Sequence, residues 1–492
     1  MTVGGIRDAI RSGEKSAVEV CRDTLARIDA VNPLLNAFNT VAADRALARA
    51  EAIDRNPDLR RRAPLAGVPI AIKDNICTRG LRTTASSRML DEFVPPYDAT
   101  VISRLEAAGA IVVGKTNCDE FAMGSSNETS AYGPVRNPWA LDRSPGGTSG
   151  GSAAAVAAGL APCALGSDTG GSVRQPSSLC GVVGLKPTYG RVSRYGLIAH
   201  GSSLDQIGPI ARRARDLGVV LGVIAGADAA DSTSAPEPVA DYEAALTGDV
   251  RGTRIGVPRA LLEQGVDPEV MRATAAALDV LQARGAVIVD VDLPHARYAT
   301  PVYYLVSTAE ASSNLARYDG VRYGFRVDGA DLRAMYGQTR GRGFGAEVKR
   351  RIMLGTYVLS AGYYDAYYLK AQQVRTLILR DYDRAFERVD VVAMPTSPVP
   401  AFRLGERIAD PLQMYLVDVF TVSANLTGLP AINVPCGFTA PKPEGTRSGE
   451  GGLPVGLQLT GRRFDEATLL RLADAYERDT EWSTQLPPIP SR

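Results

Sequence analysis

Residues Ser144 to Gly184 read S-P-G-G-T-S-G-G-S-A-A-A-V-A-A-G-L-A-P-C-A-L-G-S-D-T-G-G-S-V-R-Q-P-S-S-L-C-G-V-V-G, and this stretch is the most informative part of the chain. It contains two glycine-flanked hydroxyl clusters, Thr148-Ser149 and Ser172, separated by an alanine run long enough for a helix. Glycine lets backbone N–H groups approach a ligand closely, because it has no Cβ. A hydroxyl in such a loop is a candidate nucleophile whose oxyanion neighbouring N–H groups can stabilise.

Short apolar runs around this stretch predict buried strands with polar ends. The run at 68–72 ends at Lys73, and the run at 110–113 ends at Lys115-Thr116. Open α/β sheets place their sites at such strand ends, so the predicted class is α/β. We also predict strands at 163–166, 254–257, 286–289 and 389–394, and helices at 152–159, 270–283 and 366–388.

The N-terminal segment is predicted to be helical and to pack outside the core. Ser16 and Glu19 have capping-box spacing, and Asn32-Pro33 is expected to stop the first helix. A second, alanine-rich helix is predicted at 41–56. Near the other end, the glycine-rich run at 442–452 predicts a flexible loop.

Composition excludes several classes of protein. Of 492 residues, 45% are hydrophobic and 22% charged, and the formal net charge is +1, so no overall nucleic-acid-binding surface is expected; a local basic patch around residues 349–351 stays open. The six cysteines form no C-x-x-C pair, which predicts reduced thiols. We recognise no secretory signal and no apolar run of about 20 residues that could span a bilayer.

Three motif matches are rejected on their context. Residues 109–116 have Walker A spacing, but the residues that should form the phosphate loop are themselves a predicted strand. Residues 147–151 match the G-x-S-x-G nucleophile elbow, which needs a catalytic histidine, and neither His200 nor His295 lies in an evident catalytic loop. The S-x-x-K match at 12–15 lies in a charged segment. The two isolated histidines also offer no metal-ligand spacing, so no metal site is predicted.

The favoured constellation combines Lys73, Thr148-Ser149 and Ser172. A lysine is a base at neutral pH only if burial lowers its pKa, which the end of an apolar strand can do. Neutral Lys73 could then take a proton from Ser172 through a bridging hydroxyl. The N–H groups of Thr169, Gly170 and Gly171 would face the oxyanion. The alternatives are a surface lysine at a strand end and a tight glycine turn.

Several segments of the chain resemble the amidase signature family, nearly end to end. The matching segments are G-V-P-I-A-I-K-D-N-I at 67–76, A-G-A-I-V-V-G-K-T-N-C-D-E-F-A-M-G at 108–124 and G-S-D-T-G-G-S-V-R-Q-P at 166–176. Within that family the chain is most similar to the glutaminase subunits of amidotransferases that act on glutamyl-tRNA(Gln), through segments 184–199, 202–209 and 360–368. The resemblance implies a large mixed β-sheet covered by helices on both faces. It also implies one domain over 1–492, with a peripheral helical segment at 1–60, a core carrying the site at 65–210 and a flexible loop at 440–452.

The resemblance implies a Ser–Ser–Lys triad, with Lys73 as the base and Ser172 as the nucleophile. The bridging serine is the first hydroxyl of the family's G-G-S-S-G-G, and here that position is Thr148, followed by Ser149. Threonine keeps the relay oxygen but adds a methyl group that restricts χ1. Either Thr148 serves directly, as its spacing to Ser172 favours, or Ser149 replaces it.

The resemblance further implies that glutamine acylates Ser172 and releases ammonia. Arg351 is assigned to the glutamine carboxylate, because guanidinium forms bidentate pairs, and Asp418 to its ammonium, with Tyr303 nearby. The ammonia would serve Glu-tRNA(Gln), with Asp-tRNA(Asn) as an open second substrate, on one of two partner subunits of a cytoplasmic heterotrimer. That partner would use ATP and Mg²⁺ and make most of the tRNA contacts, and this chain would bind no cofactor.

Two other functions stay open at this stage. One is a free-standing amidase that hydrolyses simple acyl or aryl amides, and the other is a scaffold subunit that has lost catalysis, which the threonine at position 148 keeps open. A stand-alone amidase has no reason to bind an α-amino acid, so the pair of Arg351 and Asp418 discriminates between the first two.

Overall fold

The computed structural model describes residues 2–263, 265–440 and 452–489. The loop predicted at 440–452 therefore lies, except for its first and last residues, outside the described residues. The described residues form eleven strands: Phe38–Val41 (β1), Pro69–Lys73 (β2), Ile111–Thr116 (β3), Cys163–Asp168 (β4), Val183–Lys186 (β5), Gln206–Ala211 (β6), Arg254–Val257 (β7), Val287–Asp290 (β8), Val391–Pro395 (β9), Ala431–Phe438 (β10) and Pro454–Gly461 (β11).

The same residues form seventeen α-helices: Val3–Ser12 (α1), Ala17–Leu35 (α2), Ala43–Asp54 (α3), Pro57–Arg62 (α4), Thr100–Ala107 (α5), Gly150–Ala157 (α6), Arg174–Cys180 (α7), Ala214–Ile224 (α8), Arg259–Leu262 (α9), Pro268–Ala283 (α10), Ala299–Asn314 (α11), Leu332–Gly343 (α12), Ala346–Val358 (α13), Lys370–Arg388 (α14), Pro411–Tyr415 (α15), Val422–Leu426 (α16) and Glu466–Arg478 (α17). None of these helices is both long enough and apolar enough to cross a bilayer.

All eleven strands belong to one mixed sheet, in the order β1-β3-β2-β4-β6-β5-β10-β11-β9-β7-β8. β2 runs parallel to both β3 and β4, whereas β4 and β6 are antiparallel. Every residue of β2, β3, β4, β6, β9 and β11 is buried. Because successive side chains point to opposite faces, both faces of the sheet are covered. The predicted mixed sheet between helices is confirmed.

The N-terminal segment differs from its prediction in two ways. It contributes β1, which pairs antiparallel with β3 at the edge of the sheet, so it is not purely helical. Its first long helix has the predicted capping box at Ser16 and Glu19, but it does not stop at Asn32-Pro33. Pro33 lies in the last turn of α2, and the helix ends at Leu35 because Asn36 adopts a left-handed conformation (φ 56°).

Two further observations concern predicted local structure. The helix predicted at 366–388 begins as a π-helix, Tyr364–Leu369, before continuing as α14. All six cysteines are free and buried.

Candidate active site

Lys73 is the last residue of β2 and is fully buried. Its Nζ donates a hydrogen bond to Thr148 Oγ1 at 2.6 Å and another to the Ser167 carbonyl oxygen at 3.2 Å. Ser167 belongs to β4, the parallel neighbour of β2, so the carboxyl ends of both strands meet here. The structure therefore brings Lys73 and Thr148 into direct contact.

Burial lowers the pKa of Lys73 from 10.5 to about 8, because a buried ammonium loses its hydration. Acidic groups nearby, among them Asp119 and Asp168, act in the opposite direction by favouring the charged amine. Burial is the larger effect, and the neutral amine is well populated just above neutral pH. A neutral amine can accept a proton from a hydroxyl.

The two adjacent hydroxyls at 148 and 149 have different surroundings. Ser149 Oγ donates to the Ser167 carbonyl at 3.2 Å and accepts from the Ser167 N–H at 3.3 Å, so the β4 backbone holds it. Thr148 instead contacts the amine of Lys73. This difference favours Thr148 over Ser149 as the bridging hydroxyl.

Ser172 lies in the loop between β4 and α7 and is 8% exposed, whereas Thr148 is fully buried. The carbonyl of Ser172 accepts a hydrogen bond from the Ser149 N–H at 3.1 Å, which fixes the two hydroxyl-bearing loops side by side. No hydrogen bond joins the Ser172 and Thr148 hydroxyls among the described residues. The structure thus gathers Lys73, Thr148 and Ser172 in one place, with Ser172 as the member open to a ligand.

The three predicted oxyanion donors differ in availability. The Gly171 N–H donates to Asp168 Oδ1 at 2.9 Å, so its prediction as a free donor is corrected. No hydrogen bond within the described part of the chain engages the N–H groups of Thr169 and Gly170. Gly171 has a φ of +134°, and an added Cβ would lie 2.3 Å from Thr421 Oγ1. Only glycine fits this position.

A buried ion pair between Asp168 and Arg174, which the sequence analysis does not predict, anchors this loop. Arg174 Nη2 and Nε donate to the two oxygens of Asp168 at 2.9 Å and 3.0 Å. Arg174 also donates to Asn425 Oδ1 at 2.7 Å and to Gln458 Oε1 at 2.6 Å. Burial alone would raise the pKa of Asp168, but the guanidinium outweighs it and holds that pKa well below its usual range. In the sequence, Asp168 and Arg174 are opposite charges six residues apart in a segment of mostly small residues, and this pattern could have indicated the pair.

Tyr303 packs directly on Gly170, in the loop between β4 and α7. A Cβ added to Gly170 would lie 2.6 Å from Tyr303 Cζ, so the ring covers this glycine. Burial raises the pKa of Tyr303, which keeps its hydroxyl protonated as a hydrogen-bond donor. The Thr421 hydroxyl donates to the Gly170 carbonyl at 2.6 Å, and its oxygen also lies 3.0 Å from the Asp418 carbonyl oxygen, so Thr421 connects this loop to Asp418.

Asp418 is buried and accepts a hydrogen bond from Ser125 Oγ at 2.5 Å. Burial raises its pKa to about 7, although Arg351 and the Ser125 bond partly oppose the shift. Thr421 Oγ1 lies within hydrogen-bond distance of the backbone carbonyls of both Gly170 and Asp418, so Asp418 is connected to the 169–171 loop, and its assignment to the glutamine ammonium stays a prediction. No ion pair joins Asp418 to Arg351 within residues 2–263, 265–440 and 452–489.

Arg351 is 2% exposed, so it does not belong to a basic surface patch with Lys349 and Arg350. Its Nε donates to Glu347 Oε1 at 2.8 Å, and its guanidinium carbon lies 5.3 Å and 5.6 Å from the ring centroids of Tyr304 and Tyr415. A cavity of about 280 Å³ adjoins this cluster; its lining includes Ser125, Glu347, Arg350 and Tyr415.

Lys115 and the two histidines, which the sequence analysis also considered, form no hydrogen bond with Lys73, Thr148 or Ser172 among the described residues. Lys115 is buried and directs its amine to the Ile76 carbonyl and to Thr83 Oγ1, away from Thr148. His295 pairs with Asp381 at 3.0 Å. Burial lowers the pKa of His200 well below its usual value, and no hydrogen bond joins its ring to a carboxylate or to Ser172 among the described residues. A Ser-His-Asp site is therefore not formed.

Comparison with known proteins gives concordant results. The family model described as Amidase matches residues 19–470. The chain is 59% identical over 490 residues to the A subunit of the glutamyl-tRNA(Gln) amidotransferase of Roseiflexus sp. (strain RS-1), covering 100% of this chain and 98% of the relative. It is 60% identical over 488 residues to the protein of the same name from Chloroflexus aurantiacus (strain ATCC 29366 / DSM 635 / J-10-fl), covering 99% and 98%.

Solved structures agree over the whole length. The crystal structure of the A subunit of glutamyl-tRNA(Gln) amidotransferase from Thermotoga maritima has a TM-score of 0.82 at 42% identity and covers 100% of this chain and 98% of that one. A peptide amidase bound to the inhibitor chymostatin has a TM-score of 0.81 at 32% identity, covering 99% of each chain.

Proposed function

The chain belongs to the amidase family, and we propose that it is the glutaminase subunit of a tRNA-dependent amidotransferase. The observation that carries the proposal is a buried arginine and a buried aspartate, Arg351 and Asp418, the second of which is connected through Thr421 to the Gly170 backbone in the Ser172 loop. Glutamine carries a carboxylate and an ammonium on its α-carbon, and such a pair complements both charges. The names of the most similar relatives support the same function.

In the proposed acylation step, neutral Lys73 accepts the Thr148 proton while Thr148 takes the proton of Ser172. Ser172 Oγ then attacks the side-chain amide carbon of glutamine, and a tetrahedral oxyanion forms. The N–H groups of Thr169 and Gly170 are the proposed oxyanion donors, because they are free of other hydrogen bonds in the described chain. The proton returns through Thr148 to the amide nitrogen, and ammonia leaves.

The proposed second step releases glutamate. Water attacks the γ-glutamyl ester on Ser172 after giving a proton to the same Lys73–Thr148 pair. Collapse of the intermediate breaks the ester bond, and the proton returns to Ser172 Oγ. During both steps Arg351 holds the substrate carboxylate, Asp418 holds the ammonium, and the Tyr303 hydroxyl contacts the substrate near Gly170.

The relatives' names indicate that such subunits work in a multi-subunit amidotransferase. We propose a heterotrimer in which two other subunits accompany this chain. One of them would use ATP and Mg²⁺ to activate the glutamate of Glu-tRNA(Gln), receive the ammonia, and make most of the tRNA contacts. Asp-tRNA(Asn) is a second proposed substrate of that partner. Because aminoacyl-tRNA is made and used in the cytoplasm, we expect the complex there.

A free-standing amidase is the second candidate, and likeness to a peptide amidase favours it. Arg351 and Asp418 argue against it. Both are buried and do not pair with each other among the described residues, and a simple amide has no charged group that could bind either of them. The scaffold alternative rests on the threonine at 148. The 2.6 Å contact from Lys73 to its hydroxyl argues against lost catalysis.

The test is hydrolysis of glutamine by the full chain co-purified with its two presumed partners. We expect glutamate release that Ser172→Ala abolishes, and little hydrolysis of butyramide, which has the same acyl chain without charges. Efficient butyramide hydrolysis with no preference for glutamine would indicate the free-standing amidase. No release from any amide would indicate the scaffold.

A further inference from the structure

The guanidinium of Arg351 is held along one edge only. Its Nε donates to Glu347 Oε1 at 2.8 Å, and the Tyr415 hydroxyl donates to the same oxygen at 3.1 Å. No hydrogen bond within the described residues engages the two terminal nitrogens of Arg351. The edge between those nitrogens is therefore available to a carboxylate, which binds it through two parallel hydrogen bonds.

Both members of this pair are fixed to the same helix. Glu347 and Arg351 are one turn apart on α13, so their side chains lie on one face. The start of α13 is held by Glu120, whose Oε2 accepts from the Gly345 N–H at 2.8 Å. The guanidinium also lies within 5.6 Å of the ring centroids of Tyr304 and Tyr415. The two tyrosine rings thus limit how far the plane of the guanidinium can rotate, and the bond to Glu347 fixes its direction within that plane.

We propose that Glu347 is a positioning residue that turns the free edge of Arg351 toward the substrate and so makes the site selective for amides that carry an α-carboxylate. This inference rests on the proposed function. Glu347 contacts no reacting atom in this scheme. The Glu347 carboxylate at Nε fixes the plane and the direction of the guanidinium. If the guanidinium is misaligned, it loses one of its two hydrogen bonds to the substrate carboxylate.

Two analogues of glutamine separate its two charges. Glutaric acid monoamide keeps the carboxylate and lacks the amine, whereas 4-aminobutanamide keeps the amine and lacks the carboxylate. We expect Glu347→Gln in the full complex to raise KM for glutamine and glutaric acid monoamide by roughly tenfold to a hundredfold, the scale of one charge-assisted hydrogen bond. KM for 4-aminobutanamide should change by less than about twofold, and kcat for glutamine by less than about threefold.

Three further variants sharpen the test. Tyr415→Phe removes only the hydroxyl that donates to Glu347, so a smaller rise in KM with the same substrate pattern is expected. Glu347→Asp keeps the charge and should recover part of the loss. Glu387→Gln makes the same chemical change at an exposed position near the end of α14 and should leave all three substrates unaffected.

The inference is overturned if Glu347→Gln weakens all three substrates by the same factor, which indicates a merely structural role, or if it affects none. If Glu347→Gln does not fold, as judged by its thermal unfolding midpoint, the substrate pattern of Tyr415→Phe decides. Failure of the proposed function has a different signature. Wild-type protein and Glu347→Gln alike would then hydrolyse 4-aminobutanamide as efficiently as glutamine.

Discussion

Lys73 Nζ and Thr148 Oγ1 lie 2.6 Å apart, and both side chains are fully buried. The amine therefore has a hydroxyl as its close partner, and neither side chain has exposed surface in the folded chain. A buried ammonium is costly, and this cost keeps the amine ready to lose its proton. In the proposed mechanism this hydroxyl is the route by which a proton reaches that amine from the more accessible Ser172.

Ser172→Ala should abolish glutamine hydrolysis, with a fall in kcat of at least about a thousandfold, because the acyl-enzyme can no longer form. The change removes one hydroxyl that holds no other residue in the described chain, so the thermal unfolding midpoint should be nearly unchanged. Glutamate release by the purified complex measures the effect. Undiminished release would remove Ser172 as the nucleophile.

Thr148 and Ser149 can be separated by substitution. Thr148→Ser keeps the relay oxygen and should retain most activity, whereas Thr148→Val should lose about a hundredfold or more of kcat, the scale of a lost proton-transfer group. Ser149→Ala should stay active but lower the free energy of unfolding by roughly 1–2 kcal/mol, because two buried hydrogen bonds to Ser167 are lost. The opposite pattern, with Thr148→Val active and Ser149→Ala inactive, would assign the relay to Ser149.

The activity should rise with pH through the pKa of Lys73, which burial lowers to about 8. The neutral amine is the active form, so protonation below that pH removes the base, and kcat/KM should level off above it. A pH–rate profile for glutamine hydrolysis measures this. Lys73→Ala should be inactive across the whole range, and full recovery at high pH without an added amine would exclude Lys73 as the base.

The KM for glutamine should fall as the pH rises through about 7, the pKa to which burial raises Asp418. Above that pH the carboxylate is charged and attracts the α-ammonium of glutamine, whereas the protonated acid does not. Asp418→Asn should abolish this dependence and raise KM by about tenfold or more. Glutaric acid monoamide, which has no amine, is the control. If its KM follows the same pH profile, another group is titrating.

Arg174→Met should lower the free energy of unfolding by about 3–5 kcal/mol, because it leaves the buried carboxylate of Asp168 without its cation. The wild-type pair should also weaken in acid. The folded pKa of Asp168 is held below its unfolded value of about 3.9, so its stabilisation is present above that value and declines as the pH falls below it. Urea unfolding of both proteins at pH 7 and pH 3 measures the two effects. A variant as stable as wild type would contradict the anchoring role.

The strands that the sequence predicts correctly are those that a local run of apolar residues marks. β2, β3 and β4 are continuous buried runs, and their apolar composition is enough to recognise them. β5 has only four residues, Val183–Lys186, and its pairing with β10 depends on residues about 250 positions away, so no local pattern reveals it. The helix end predicted at Asn32-Pro33 is wrong, because α2 continues past Pro33 despite the backbone hydrogen bond that proline cannot donate, and it ends at Leu35, where Asn36 adopts a left-handed conformation.

The candidate site shows the same division. The residue pattern suggests Lys73 and Ser172, the resemblance implies their roles as base and nucleophile, and the structure brings their two segments together. The hydrogen bond from the Gly171 N–H to Asp168 could not be predicted, because it depends on the backbone conformation of the loop between them. The ion pair between Glu347 and Arg351 could have been predicted, because opposite charges four residues apart on a helix commonly pair.

The bond from Arg174 to Gln458 joins positions 284 residues apart. During translation the segment with Ser172 leaves the ribosome long before β11 exists, and an unfinished chain cannot close that contact. Until then the guanidinium lacks its distant partner, and the loop beside it lacks its final shape. We therefore expect nascent and truncated chains to hydrolyse no glutamine, which spares the cell a premature source of free ammonia.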